Sequence, residues 1–357
     1  MKYSLQCLTI IVVFLLVSGC SNPAYQNTRI YPKILSRGFV DNAFELSVLD
    51  INSGKRQYLT DSKSISPTAF SLCDKTNEIV YSAYVELGEE LILWAPNQNS
   101  RLLTNGNNHL RYPRWSPDCS LLSVDSNNEL PQAYLVNPTS GEMHLLLPDY
   151  DGPSTNLTWS PNLQFATVVI PLYADTKKIS AYSLGIVDLN KSTLDSQLSR
   201  DIDDPFSYPF SGIIWAKDSA SFWFSAKRSS TFDLYNYDLK LKLEKPIVQT
   251  NLDDRDPVIS PDGKQFVFLQ ASPNQELFSI QLFDISSQTI TELTHTPVKV
   301  TAMLWLNDKQ IVFSEYNQLK NKTTYTLLDI QRISETQIAE FDGMFLNSQW
   351  FLTSASQ

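Results

Sequence analysis

The 357-residue sequence predicts an all-β protein, a single β-propeller of seven blades with four antiparallel strands each. Three observations lead there. A short hairpin signal recurs seven times, its spacing stays near 45 residues, and the content between copies is strand-like. The clearest copy runs from Pro257 to Phe268, where two apolar runs flank Ser260-Pro261-Asp262-Gly263. Pro presets φ at the second turn position, Asp tolerates the third, and Gly supplies the positive φ that a bulged hairpin needs.

The other copies are aligned by the residue just before the turn. Phe70 opens Phe-Ser-Leu-Cys-Asp, Trp115 opens Trp-Ser-Pro-Asp-Cys, and Trp159 opens Trp-Ser-Pro-Asn-Leu. Trp215, Ile259, Trp305 and Phe345 hold the same place further on, giving spacings of 45, 44, 56, 44, 46 and 40. One Trp per repeat position reads as packing between blades, not as a sugar-stacking platform. The outer half of each repeat supplies a third and a fourth strand, as in Leu277 to Asp284 followed by Thr289 to Thr294.

The ends of the chain are complementary. Phe44 to Asp50 and Arg56 to Thr60 read as outer strands that precede the first hairpin, while the hairpin at Phe345 to Leu352 has no outer strands after it. Placing both ends in one blade, two strands from each, closes the ring and removes two exposed sheet edges. The alternative is six blades, with the Phe345 hairpin extending a neighbour.

Trp115-Ser116-Pro117-Asp118 and Ser260-Pro261-Asp262-Gly263, with Leu103-Thr104-Asn105-Gly106 upstream of the former, resemble the propeller repeats of the TolB family. The resemblance covers about residues 40 to 355 and implies the propeller fold. The same repeats occur in prolyl-oligopeptidase-type peptidases and oligogalacturonate lyases, so it does not fix a function. Gly survives in the turn only at Gly263, with Cys119, Leu163 and Ser219 in the corresponding place. Leu in a left-handed conformation costs roughly 1 kcal/mol or more, so a different turn type is expected at Leu163. TolB also carries an N-terminal α/β domain, for which nothing before residue 40 has the pattern.

The first residues read as an address. Lys2 precedes an apolar run from Cys7 to Val17, too short to span a bilayer but suited to a secretory signal. Val17-Ser18-Gly19-Cys20 looks like the lipobox of bacterial lipoproteins, in which the Cys becomes the acylated N-terminus. The expected organisation is a signal peptide over 1–19, lipidated Cys20 with a polar tether over 20–39, and the propeller over 40–357. Ser21, in place of Asp, resembles the outer-membrane sorting signal of enteric lipoproteins. The expectation is therefore a cell-envelope protein held in the outer membrane by its lipid and facing the periplasm. A net charge of −10 argues against nucleic acid and against adhesion to anionic lipid by charge alone. Beyond Cys7 and Cys20 only Cys73 and Cys119 remain, and their pairing is left open by the sequence.

No catalytic constellation is legible. There is no Gly-x-Ser-x-Gly elbow, and His109, His144 and His295 are too scattered to suggest a metal centre, so neither cofactor nor metal is expected. The loops that enter the first strand of each blade are richer. They carry His109 and Arg111, Asp203 and Asp204, Asp253, Asp254 and Arg255, and His295, an expected polar and acidic rim around the channel mouth. Two functions fit: a non-enzymatic scaffold that binds another envelope protein, or a carbohydrate binder or lyase/hydrolase-type enzyme using the channel.

Overall fold

The computed structural model describes residues 31–40, 43–60, 66–86, 88–106, 109–173, 179–201, 209–227, 231–272, 274 and 277–353. Strands β1 (Tyr31–Val40), β2 (Ala43–Asp50) and β3 (Arg56–Tyr58) lead the chain. Blade one is β4 (Pro67–Leu72), β5 (Ile79–Val85), β6 (Gly88–Trp94) and β7 (Arg101–Leu102). Blade two is β8 (Leu110–Trp115), β9 (Leu122–Ser126), β10 (Ala133–Val136) and β11 (Met143–Leu145). Blade three has longer strands: β12 (Thr155–Trp159), β13 (Phe165–Tyr173), β14 (Ile179–Asp188) and β15 (Thr193–Asp201). Blade four is β16 (Phe210–Trp215), β17 (Ser221–Lys227), β18 (Phe232–Asp238) and β19 (Leu243–Val248). Blade five is β20 (Asp253–Ile259), β21 (Gln265–Ala271), β22 (Phe278–Asp284) and β23 (Thr289–Thr296). Blade six is β24 (Lys299–Asn307), β25 (Gln310–Asn317), β26 (Lys322–Asp329) and β27 (Ser334–Asp342), after which β28 (Met344–Thr353) joins the leading strands.

Seven four-stranded antiparallel sheets result, and seven apolar clusters fill the seams between neighbours. The first strands of successive blades touch around the centre. The Trp residues do what their repeat position implies. Each of Trp115, Trp159, Trp215 and Trp305 is buried between blades, and the indole N–H groups of Trp159, Trp215 and Trp305 donate to Arg114, Thr158 and Val258 carbonyls of the preceding blade. The first strands also share a bulge, with Tyr112, Asn156, Gly212 and Asp256 at φ 53, 55, 54 and 54°. Gly212 is required there, because a Cβ would lie 2.6 Å from the Asp256 Cα of the next blade.

Closure differs in detail from the sequence expectation. Blade seven runs β28-β1-β2-β3, three strands from the N-terminus and one from the C-terminus. Phe345 and Trp350 lie on one ten-residue strand, and Asn347-Ser348 is a bulge with Asn347 at φ 53°, not a hairpin turn. The missing partner is Tyr31–Val40, a strand within the stretch that the sequence reads as tether up to residue 39. Its Pro32 and Gly38 disguised it: Pro sits at the strand end, and Gly38 lies opposite Phe345, whose ring a Cβ would meet at 2.2 Å. Arg56 staples the seam. Its Nη1 donates to Ser36 and Ser47 hydroxyls at 3.0 and 2.6 Å, and its guanidinium stacks 3.8 Å above Phe345 and 4.3 Å above Phe341.

The turn chemistry explains the repeated Ser-Pro-Asp. Ser116, Ser160 and Ser260 each donate to the carboxylate or amide oxygen two residues on, at 2.6, 2.8 and 2.7 Å. Each also accepts the N–H five residues on, at 3.0, 3.0 and 3.2 Å, bridging the hairpin. The Ser116 hydroxyl and the Ser120 N–H hold the Asp118 carboxyl down to about 2. Leu163 corrects the sequence reading: its turn is the same type, with Cys119, Leu163, Ser219 and Gly263 at φ 64, 57, 59 and 75°. The bridging hydrogen bonds and the packing of Leu163 against the seam core offset the strain.

A second turn, between third and fourth strands, repeats an Asp or Asn whose side chain accepts the following N–H groups, and ends on a left-handed residue. Gly54 and Gly141 fill that end comfortably, but Ile333 occupies it at φ 50° while 54% exposed. A β-branched residue in this region is strained without compensating burial. Ile333→Gly is expected to raise unfolding stability by about 1 kcal/mol, net of glycine's entropic cost, in denaturant titration. A loss of stability would show that Ile333 packs usefully.

Candidate binding face

The alternation of strands gives the ring two unlike ends. One carries the turns between strands one and two and between three and four, tipped mostly by Asp, Asn, Ser and Lys, with Leu241 and Ile333 as exposed exceptions. The other carries the connections from strand two to three and from four to one. At that end a large apolar or aromatic side chain stands exposed at each described two-to-three connection. These are Phe39, Tyr84, Leu130, Tyr173, Leu277 and Leu319, from 39% exposed at Phe39 to 100% at Leu319. The corresponding residues of blade four, 228–230, lie outside the described residues.

The residues expected to form an acidic rim are distributed differently. Asp253 and Asp254 are buried, not displayed. Asp254 accepts from the Thr250 hydroxyl at 2.7 Å and the Gln270 amide at 2.8 Å, and burial raises its carboxyl above the ordinary range. Asp253 accepts the Phe232 N–H at 3.1 Å and faces Arg255 at 3.6 Å, so this group ties blade five to blade four. Asp203 and Asp204 lie outside the described residues. His295 sits in the outer strand β23, largely exposed beside Glu292, away from the channel. His109 is left-handed at φ 49°, and its carbonyl accepts the Asn127 N–H.

Arg111 is the rim residue with built surroundings. Its Nε donates to Glu89, and its Nη2 donates to the Tyr84 hydroxyl at 2.7 Å. Glu89 is fully buried and also accepts from the Thr68 hydroxyl, so the guanidinium is held by a carboxylate that cannot turn away. These contacts, Glu89 foremost, raise the Arg111 pKa. Glu90 points the other way and accepts from Thr104 at 2.6 Å, as Glu45 does from Thr60, a contact of the repeat itself. Beside Arg111 opens a groove of about 270 Å³ whose wall includes Tyr112, Tyr173, Tyr182, Asp125 and Asn156. Sequence reasoning passed over Glu89, Tyr84 and Tyr112. The one available signal was the Glu89-Glu90 pair opening an otherwise apolar strand, which cannot place both carboxylates on one face.

Asp125 lies at the back of this groove. Burial pushes its carboxyl up to about 6, against the opposing pull of Arg114 and of the Asn156 N–H at 2.9 Å. A carboxyl raised in the folded state favours folding when protonated. Its contribution is therefore full below the unfolded value near 4 and is lost as pH rises through about 6. Asp125→Asn is expected to gain about 2 kcal/mol relative to the parent between pH 4.5 and 7.5, measured by denaturant unfolding at both. Parallel profiles would place Asp125 in a wetter site.

Among the described residues, the one group of three potential metal ligands within reach of one another is Cys73, Asp74 and Cys119. Its sulfurs are joined to each other in a disulfide. The molecule is thus a seven-bladed propeller with a polar turn face and an apolar, tyrosine-rich opposite face. No family model and no curated protein matches the chain. Among solved structures it is similar to TolB from Acinetobacter baumannii, with TM-score 0.53 and 13% identity over 90% of this chain and 83% of that one. It is also similar to oligogalacturonate lyase from Vibrio parahaemolyticus, with TM-score 0.62 and 11% identity over 86% and 85%. A puromycin-hydrolysing peptidase from Mycobacterium tuberculosis shares the fold too, with TM-score 0.63 and 12% identity over 87% of this chain and 53% of that one. At such identities the likeness is one of fold. The repeats that resemble those of TolB form the seven-bladed propeller that the resemblance implies.

Proposed function

We propose that this chain is a lipid-anchored propeller of the bacterial cell envelope that binds another envelope protein and performs no chemistry of its own. One observation carries the reading: a large apolar side chain exposed at every described two-to-three connection, all on one end of a rigid ring. Scattered exposed hydrophobics are ordinary, but a set that recurs at the same connection of successive blades marks an interaction surface. Tyr84, Tyr112 and Arg111 add the residue types that anchor protein interfaces. The Cys73–Cys119 disulfide supports an oxidising compartment such as the periplasm, in keeping with a signal peptide over residues 1–19.

The groove beside Arg111 favours a second reading, since three tyrosines around Asp125 and Asn156 could hold a sugar ring. Chemical crosslinking in intact envelopes separates the two. Tyr84→Ser with Leu319→Ser is expected to abolish a discrete adduct without lowering the melting temperature, while Tyr112→Ala with Tyr182→Ala weakens it less. An adduct indifferent to the first pair, together with oligosaccharide binding lost in the second, would favour the carbohydrate reading.

A further inference from the structure

The direction of β1 says which way the molecule faces. Tyr31 pairs with Thr353 and Lys33 with Asp50, at the end that carries the turns, while Phe39 pairs with Met344 at the opposite end. The chain therefore enters the propeller on the turn face. Cys20 stands eleven positions before Tyr31. Eleven residues reach at most about 40 Å when fully extended.

To bring the opposite face against the bilayer that holds the lipid, this segment would have to double back. It would pass outward across β2 and β3 and then climb the height of the blade. The nine steps along β1 rise about 30 Å, and two further strands add about 10 Å sideways. That path alone takes up the whole extended reach and leaves nothing for the reversal of direction at the turn face. Resting on the anchor and proteinaceous partner of the proposed function, we infer that the lipid and the apolar ring lie at opposite poles. The turn face rests toward the membrane, and Phe39, Tyr84, Leu130, Tyr173, Leu277 and Leu319 look into the aqueous compartment.

The occupant of the ring is then a protein surface reached away from the anchoring membrane, not the bilayer itself. Exposed Leu and Tyr at loop tips would otherwise be equally good membrane wedges, and the entry point of β1 decides between them. The charge pattern agrees, because a chain of net charge −10 has no general electrostatic pull toward anionic headgroups.

The test uses the full lipidated chain in phosphatidylethanolamine–phosphatidylglycerol vesicles that carry a headgroup energy-transfer acceptor. Leu241→Cys reports the turn face and Leu319→Cys the ring, each labelled with a donor fluorophore while Cys73 and Cys119 stay bonded. Flotation is read first. A protein that floats no better than its Cys20→Ala form lacks the anchor, and the inference fails with that reading. With flotation secured, the donor at Leu241 is expected to lose intensity and the donor at Leu319 to keep it. Equal or greater loss at Leu319 would overturn the inference and make the ring a membrane-docking surface. In intact cells a photo-crosslinker at Leu319 is expected to capture polypeptide. Phospholipid adducts there would overturn the inference even if the anchor is confirmed.

Discussion

Removing β28 by deleting residues 344–357 is expected to abolish the cooperative unfolding transition of the whole propeller. Phe345 is fully buried at the seam with Val312, Tyr325, Ile34 and Leu49, and it is also the ring under Arg56. Truncating such a Phe costs about 3–5 kcal/mol by itself. Deletion adds the loss of the β1–β28 ladder and leaves β1 as an open edge facing an empty sector. The sum rivals the entire stability of a domain, about 5–15 kcal/mol. Calorimetry of the truncated protein, with Phe345→Ala as the milder variant, measures this. A truncated chain that melts like the full-length one would show that the ring is held by its six continuous blades alone.

The second large effect concerns Cys73 and Cys119. They lie in equivalent turns of blades one and two, with Cα atoms 5.7 Å apart and a sequence separation of 46. The chain-entropy relation gives about 4 kcal/mol for a loop of that size. Cys73→Ala with Cys119→Ala is expected to lower stability by about 3–4 kcal/mol. Ala suits Cys73, which is fully buried among Val80, Leu91 and Trp115. Reductant should destabilise the parent by a similar amount and leave the double variant unmoved. A parent indifferent to reductant would mean that the sulfurs are not bonded in solution.

Much of this architecture was legible because the repeat is written in turn chemistry. Ser-Pro-Asp predicts a hairpin from three side chains, and the Ser hydroxyls of residues 116, 160 and 260 make the bonds that the motif requires. Strand counting failed only in blade seven. There the decisive fact was long-range: Gly38 is a strand residue because Phe345, more than 300 positions later, covers it. A turn type inferred from a single residue failed at Leu163 for a related reason, since the hairpin around it outweighs its own preference.

The site was less legible. Asp253-Asp254 reads as a solvated acidic loop, yet β20 begins there and carries both carboxylates inward to Phe232, Thr250 and Gln270. Exposure of an apolar residue is equally invisible in one dimension. Leu277 and Leu319 look like ordinary strand flanks until the blades place them on one face with Phe39 and Tyr84. A ring of single residues spaced a blade apart has no local signature, because each member is unremarkable in its own repeat.

The measurement that bears most directly on the binding face is a photo-crosslinking scan in living cells, at six ring positions and five turn tips. Phe39, Tyr84, Leu130, Tyr173, Leu277 and Leu319 would be replaced in turn on one face, and Asn52, Ser140, Lys240, Ser287 and Gln331 on the other. The expected result is a common polypeptide adduct from several neighbouring ring positions and none from the turn tips. An adduct formed equally from both faces, or from the turn tips alone, would contradict the assignment of the apolar ring as the surface on which this propeller works.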